Sequence, residues 1–287
     1  MYFRHRCILV VALLFSGLTL AGPLFTFTAI PDEDESRLRE RFDKVAAYLE
    51  KELGVETKFV PVKSYPAAVT AFRNDEVQLA WFGGLTGVQA RGRVPGAVAI
   101  AQGKEDAAFV SYFIANAATG LKPSKTFPKE IAGRSFTFGA KTSTSGRLMP
   151  EFHIREQLGK TPEAAFSRVG FSGDHSKTLE LVMSGAYEVG VLNYAVYRNE
   201  LQAGKIDPAK VVVLWETPPY PDYQWTARGN LDSRFGVGFT AKLKAALLGM
   251  NDRALLDSFE RSSFIPASNA DYTPIENTAK AIGLLDE

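Results

Sequence analysis

The sequence predicts an α/β protein with two lobes around a cleft, and three observations predict it. Strand-like and helix-like segments alternate through the N-terminal part of the chain, and the same alternation resumes in the middle. The chain is 287 residues long, more than one compact domain usually needs and enough for two of ordinary size. No low-complexity linker or sequence repeat interrupts it. With 46% hydrophobic residues, a core in each lobe is within reach. The formal net charge of +1 leaves no basic excess for nucleic acid, and the Lys/Arg clusters are interleaved with Asp and Glu.

Taken in order, "LFTFTAI" (24–30) alternates in part and predicts a first strand. In the following segment Leu38, Phe42, Val45, Leu49 and Leu53 recur at helical spacing, with acids at the start and Gly54 at the end. "VETKFVPV" predicts a second strand. "SYPAAVTAFRNDE" predicts a helix capped by Ser64, with Pro66 in its first turn. "VQLAWFGG" is a third strand closed by a glycine turn, and this order is the pattern of a parallel, doubly wound sheet. Farther on, "AFVSYFIAN", "SFTFGA", "AFSRVGF", "YEVGVLNY" and "KVVVLWETPPY" predict strands, and "GRLMPEFHIREQLG" and "SKTLELVMSG" predict helices. Pro150 lies close enough to a helix start to be tolerated. From about Asn230 the pattern is mostly helical. Extended segments near Ala115 and Val211 join the units. They place lobe I at 22–115 plus 211–287 and lobe II at 116–210. Ligands in such sheets lie beyond the carboxyl ends of the strands.

Residues 1–21 form a separate unit. Arg4, His5 and Arg6 precede the apolar run "CILVVALLFSGLTLAG", which is short for a membrane span, and Thr19 and Ala21 fit the small positions before a cleavage point. This is the form of a secretory signal peptide. The expected mature start is near Gly22, and N-terminal sequencing of the exported protein checks it. The single cysteine, Cys7, falls in this segment, so a mature chain has no disulfide and no thiol nucleophile.

The stretch "KTSTSGRLMPEF" (141–152) concentrates hydroxyls, a glycine and flanking cations before a helix. Ser143, Thr144 and Ser145 can donate through their hydroxyls, and Gly146 admits close backbone approach to the N–H groups of a helix start. Together they make an anion site without a metal. The plainer account is N-capping by Ser145. A nucleophilic serine needs an adjacent base held by a third group. Only His153 and His175 remain after signal removal, neither in a triad context, and Ser145 is not framed by GxSxG. His153 with Glu156 three residues on is weak metal evidence beside ordinary packing. No enzyme activity, metal or cofactor is therefore expected.

At "LAWFGG", "STSGRLMPEF", the His175 turn "GDHSKTLELV" and "VLWETPPYP", the chain resembles the phosphonate-type periplasmic solute-binding proteins of ABC importers, over essentially its whole mature length. Its particular forms are most similar to a selenium-oxyanion subgroup, labelled selenate-binding. The resemblance implies a type II periplasmic-binding-protein fold, closing by hinge strands on a small oxyanion such as phosphonate, phosphite or a selenium oxyanion. It also implies a periplasmic monomer with ABC permease and ATPase partners. A sensor serving a membrane histidine kinase is the alternative, and a secreted hydrolase a more distant one. It implies that aromatics at Tyr65, Phe82 and Phe109 wall the cleft, while Trp81 belongs to the core. His175 becomes an anion contact through a protonated or N–H-donating imidazole. Asn193 and Asp222 sit where strand ends meet the cleft. Asp222 alone gives one carboxylate where aminoalkyl ligands are held by two, which favours an anion lacking the amine. Arg147 departs from the apolar residue usual after "STSG", and either adds charge to the site or faces solvent.

Overall fold

The computed structural model describes residues 22–285, so the segment expected to be a signal peptide, with Cys7, lies outside the described residues. The chain first lays down β1 (Phe25–Ala29), α1 (Glu35–Leu53), β2 (Thr57–Phe59), α2 (Tyr65–Arg73), β3 (Leu79–Phe82), α3 (Gly84–Arg93) and β4 (Val98–Gly103). It crosses to a second unit of β5 (Ser111–Asn116), β6 (Ser135–Phe138), α4 (Met149–Leu158), α5 (Pro162–Ala165), β7 (Arg168–Phe171), α6 (His175–Met183), β8 (Val189–Asn193), α7 (Tyr194–Gln202) and β9 (Val211–Glu216). It then returns to the first with β10 (Gln224–Ala227), α8 (Leu231–Phe235), α9 (Phe239–Leu248), α10 (Arg253–Phe259), β11 (Phe264–Pro266) and α11 (Thr273–Ile282). The result is two sheets, one of six strands ordered β11-β4-β10-β3-β1-β2 and one of five ordered β7-β6-β8-β5-β9.

Local chemistry accounts for the first helices. Asp34 accepts from the N–H groups of Ser36 and Arg37 to start α1, and Gly54 ends it in the left-handed region at φ 71°. Ser64 caps α2 as its sequence predicts. The buried stripe of α1, Leu38, Phe42, Val45, Leu49 and Leu53, lies on the six-stranded sheet, where Phe42 stacks on Phe59 at 5.0 Å. In lobe II the alternation along β5 splits its side chains between two cores. Phe113 and Ala115 face Phe136, Ile154 and Leu214, while Ile114 faces Leu179 and Val182.

Two expectations change. The three strands assigned as parallel, β2-β1-β3, are parallel and β4 runs in their direction, but β10 and β11 run against them on either side of β4, so the sheet is mixed. β10 and β11 reach it on the return from lobe II, where no crossover helix imposes parallel direction. The lobe divisions also move. β5 and β9 both pair inside the five-stranded sheet, whereas the sequence puts the divisions at 115/116 and 210/211. A strand's alternation carries no mark of which sheet it enters. The crossings fall instead in the single-turn helix Lys104–Ala108 with Phe109, and in the proline-bearing segment before β10. There Phe109 and Tyr220 exchange backbone hydrogen bonds of 2.8 and 3.0 Å, and Asp222 N–H donates to the Asp106 carbonyl. Buried Asp106 is gripped by Arg261 through two hydrogen bonds of 2.7 and 2.5 Å, which ties the crossing to the C-terminal part of lobe I.

The lobes touch across the cleft. Arg37 of α1 pairs with Glu200 of α7 at 3.2 Å, and His175 N–H donates to the Asp32 carbonyl at 2.9 Å. Such contacts belong to a closed form and must break for a ligand to enter. Solution scattering is therefore expected to give a smaller radius of gyration with saturating ligand than without. An unchanged radius with a ligand shown separately to bind would contradict the hinge.

Candidate functional site

The functional stretch of lobe II begins as a π-turn. Leu148 N–H reaches back to the Ser143 carbonyl at 3.0 Å and Met149 N–H to that of Thr144, so Thr144–Leu148 is wider than an α-turn and runs directly into α4. Its cap is Ser143, whose hydroxyl accepts from Gly146 N–H at 2.9 Å. Capping by Ser145 is thereby corrected: the five-residue spacing of the π-turn moves the start of the helical run back by two residues. Gly146 is required by contact. A Cβ there would lie 3.0 Å from both His175 Cε1 and Ser143 Oγ.

Lobe I presents a second helix start to the same place. After β3, Gly83 caps α3 without a side-chain bond, and the next two N–H groups are taken by partners from elsewhere. Gly84 N–H donates to Asp222 Oδ1 at 2.8 Å, and Leu85 N–H donates across the cleft to Thr144 Oγ1 at 2.9 Å. The sequence reading leaves "GLTGVQARGR" without an assignment, because three glycines depress its helix propensity. Packing demands one of them: a Cβ on Gly87 would lie 2.2 Å from Gln224 Nε2. The signal available was the diglycine immediately after a strand, which is where a helix start can meet an anion.

Around these two helix starts is a buried polar cluster. Ser111 donates to the Ser145 carbonyl at 2.8 Å and shares a 2.5 Å hydrogen bond with the Tyr220 hydroxyl. Tyr223 donates to Asp32 Oδ2 at 2.7 Å and accepts from Asn193 Nδ2 at 3.0 Å. The hydroxyl of Tyr65, Oδ1 of Asp32 and Oδ2 of Asp222 are buried and meet no partner in full hydrogen-bond geometry, with the Ser143 hydroxyl close to Tyr65 and those of Thr144 and Ser145 close to the Asp222 carboxyl. Burial pushes the Asp222 carboxyl up to about 7, against the pull of Gly84 N–H. Burial also raises Asp32, with Glu33 beside it adding to the effect.

His175 is fully buried at the first position of α6. Asn193 N–H donates to its Nδ1 at 3.3 Å, so the ring proton sits on Nε2, which lies 3.5 Å from Ser145 Oγ. Burial drives its pKa down to about 3. Burial thus disfavours the imidazolium in the closed, anion-free protein, and the neutral Nε2–H donor is the form this geometry supports. A closed-state pKa below the open-state value favours closure above the ordinary histidine range and opposes it as pH falls through that range. His175→Ala is expected to weaken anion binding several-fold near neutrality and less below about pH 6, where the parent must shed a proton to close. A larger loss at low pH, measured by calorimetry, would restore the imidazolium.

The remaining sequence-chosen residues separate by what their side chains touch. Tyr65, Ser143, Thr144, Ser145, Gly146, His175 and Asp222 converge on the cluster. Asn193 joins it with its amide already engaged, capping α7 through Val196 N–H as well as reaching Tyr223. Phe82 faces the lobe I core against Phe72 at 5.6 Å. Phe109 packs between Tyr194 at 4.8 Å and Tyr223 at 5.4 Å, at the lobe junction. Arg147 hydrogen-bonds Glu151 at 3.0 Å, a carboxylate it shares with Arg155, and stacks on Phe171. His153 packs on Trp215, and Trp81 stacks on Tyr223 in the core. Asp32, Ser111, Tyr220 and Tyr223 were not singled out in the sequence. Nothing local distinguishes them, since strand ends and tertiary pairing bring them together.

Above this sealed cluster the lobes enclose a cavity of about 790 Å³ that opens to solvent, with Tyr65 on the wall between the two. The hydroxyls and the raised carboxyl of the cluster are groups that can hydrogen-bond an oxyanion, while the helix-start N–H groups of Gly84, Leu85 and Gly146 are already engaged.

Comparison with known proteins agrees. Residues 27–272 match the family model described as ABC transporter, phosphonate, periplasmic substrate-binding protein. A probable ABC transporter phosphite binding protein, PhnD1 of Prochlorococcus marinus (strain MIT 9301), is 38% identical over 93% of each chain. A solved structure of PhnD1 in complex with methylphosphonate superposes with a TM-score of 0.87, at 39% identity over 91% of this chain and 98% of that one. A binding protein component of an ABC phosphonate transporter from Pseudomonas aeruginosa, 22% identical over 90% and 85% of the two chains, shares the fold at a TM-score of 0.77. The family match spans both lobes and every element of the cluster, and the chain belongs to the phosphonate-type periplasmic substrate-binding proteins of ABC transporters, which bind and deliver a solute and are not enzymes.

Proposed function

We propose that the anion is a small phosphorus oxyanion, phosphite or a short alkylphosphonate, held between the lobes and handed to the ABC permease. The observation that carries this reading is that the Tyr65 hydroxyl and Asp222 Oδ2 are buried without a full-geometry hydrogen bond beside the hydroxyls of Ser143–Ser145, as Asp32 Oδ1 is on the far side of Tyr223. A buried polar atom without a partner costs about 1–3 kcal/mol, and an anion oxygen in reach of these groups removes that cost. Hydroxyls of Ser143, Thr144 and Ser145 and His175 Nε2–H complete the donors.

Asp222 argues for an anion that can carry a proton near neutrality and against a fully deprotonated one such as selenate. Phosphorus oxyanions bind or lose a proton close to neutrality, as phosphate monoesters do near pH 6. An acid raised to about 7 can share that proton with them. Selenate remains fully deprotonated and has no proton to offer, so it faces the Asp222 carboxylate as a like charge. The name and the bound ligand of PhnD1 support the same class. Calorimetry with phosphite, methylphosphonate, sulfate, selenite and selenate tests it. Tighter binding of selenate than of either phosphorus anion would transfer the assignment to the selenium subgroup.

A further inference from the structure

Four buried residues form a ring of hydrogen bonds that crosses between the lobes twice. Asp32, just after β1, and Tyr223, just before β10, belong to lobe I. Asn193, the last residue of β8, and His175, the first of α6, belong to lobe II. The Tyr223 hydroxyl donates to Asp32 Oδ2 at 2.7 Å and accepts from Asn193 Nδ2 at 3.0 Å. Asn193 N–H donates to His175 Nδ1 at 3.3 Å, and His175 N–H donates to the Asp32 carbonyl at 2.9 Å. The direction of each bond is fixed by its neighbours. Val196 N–H takes the Asn193 amide oxygen, which turns Nδ2 toward Tyr223. Asp32 takes the phenolic proton, which leaves the oxygen lone pairs for that amide. The Tyr223 ring is held from lobe I, stacked on Trp81 at 5.5 Å and covered by the Arg261 guanidinium at 5.7 Å.

From this ring we infer that Tyr223 is the clasp of the closed form, the residue that holds lobe II shut and so sets how long the anion stays. Two of the four bonds join the lobes, and neither survives their separation. In the open form water can replace them. Closing without the Tyr223 hydroxyl instead buries Asn193 Nδ2 and Asp32 Oδ2 unpaired, so the cost falls on the closed form. The clasp is also placed to act with the anion site: Tyr223 follows Asp222 directly, and His175 presents Nε2 to Ser145 from the same ring. The Arg37–Glu200 pair joins the lobes too, but its arginine side chain is 25% exposed, where salt screens it. The clasp is buried, and its contribution should not depend on salt. The inference rests on the oxyanion reading only for its choice of probe anions.

The test measures association and dissociation rates by stopped-flow tryptophan fluorescence, with phosphite and methylphosphonate as probes at low and high salt. Tyr223→Phe keeps the ring and removes the hydroxyl. Its dissociation is expected to be about tenfold faster, equally at both salt concentrations, with association unchanged. Asp32→Ala removes the same bond from the other side and should also speed dissociation. The double variant should be no faster than Tyr223→Phe alone. Tyr48→Phe removes a tyrosine hydroxyl bond inside lobe I, to the Ala246 carbonyl, and should leave both rates unchanged. Unchanged dissociation in Tyr223→Phe overturns the clasp. So does slower association, an effect that vanishes at high salt, or single effects that multiply in the double variant. Equally fast dissociation in Tyr48→Phe would mark a general loosening and overturn it as well. A parent that binds neither probe by calorimetry overturns the oxyanion reading instead. The clasp is then read by solution scattering of the ligand-free protein, where Tyr223→Phe should enlarge the radius of gyration and an unchanged radius overturns it.

Discussion

Replacing Ser143 and Thr144 together with Ala is expected to lower anion affinity by a factor of about a hundred or more. Each hydroxyl given to a charged oxyanion contributes about 1.5–3 kcal/mol, and about 1.4 kcal/mol is tenfold in affinity. The two residues do different work besides. Ser143 Oγ caps the turn through Gly146 N–H, so Ser143→Ala should also cost the free protein about 1 kcal/mol of stability. Thr144 Oγ1 accepts Leu85 N–H from the other lobe, so Thr144→Ala should leave the free protein's stability nearly intact and weaken closure. Thermal unfolding without ligand and calorimetry with it separate the effects. A double variant that binds phosphite as tightly as the parent would reduce the motif to a cap.

The second large effect is in pH. Asp222 is raised to about 7 in the closed protein, above its open-state value, so closure gains from a proton there. That gain is complete in acid and is lost as pH rises through about 7. With an anion bound beside the carboxylate the repulsion deepens, and affinity should fall by up to about tenfold per pH unit on the alkaline side. Asp222→Asn keeps an oxygen for Gly84 N–H and offers the anion an amide donor without titrating. Its affinity should therefore be nearly flat where the parent declines. An alkaline decline of the same size in Asp222→Asn would assign the titration to the anion alone. Together with the acid limb expected from His175, the parent profile should be highest near neutrality.

Much of this was legible in the sequence because it is local chemistry. The stripe Leu38–Leu53 with its acidic start and Gly54 end, the cap Ser64 with Pro66, and the hydroxyl run 143–145 declare themselves within a few residues. The sequence by itself determined a two-lobed α/β chain, and its hydroxyl run and family motifs named most of the residues that converge on the cluster. Tertiary structure alone decided how they work. α3 keeps a glycine at Gly87, where a Cβ would strike Gln224, and its first N–H groups are taken by Asp222 and by Thr144 of the other lobe. Sheet membership of β5 and β9 depends on partners far away in sequence. The protonation of His175 and Asp222 could not be read from residue type, because both shifts come from burial. Desolvation acts through every atom packed around a group, and only the folded, closed chain specifies those atoms.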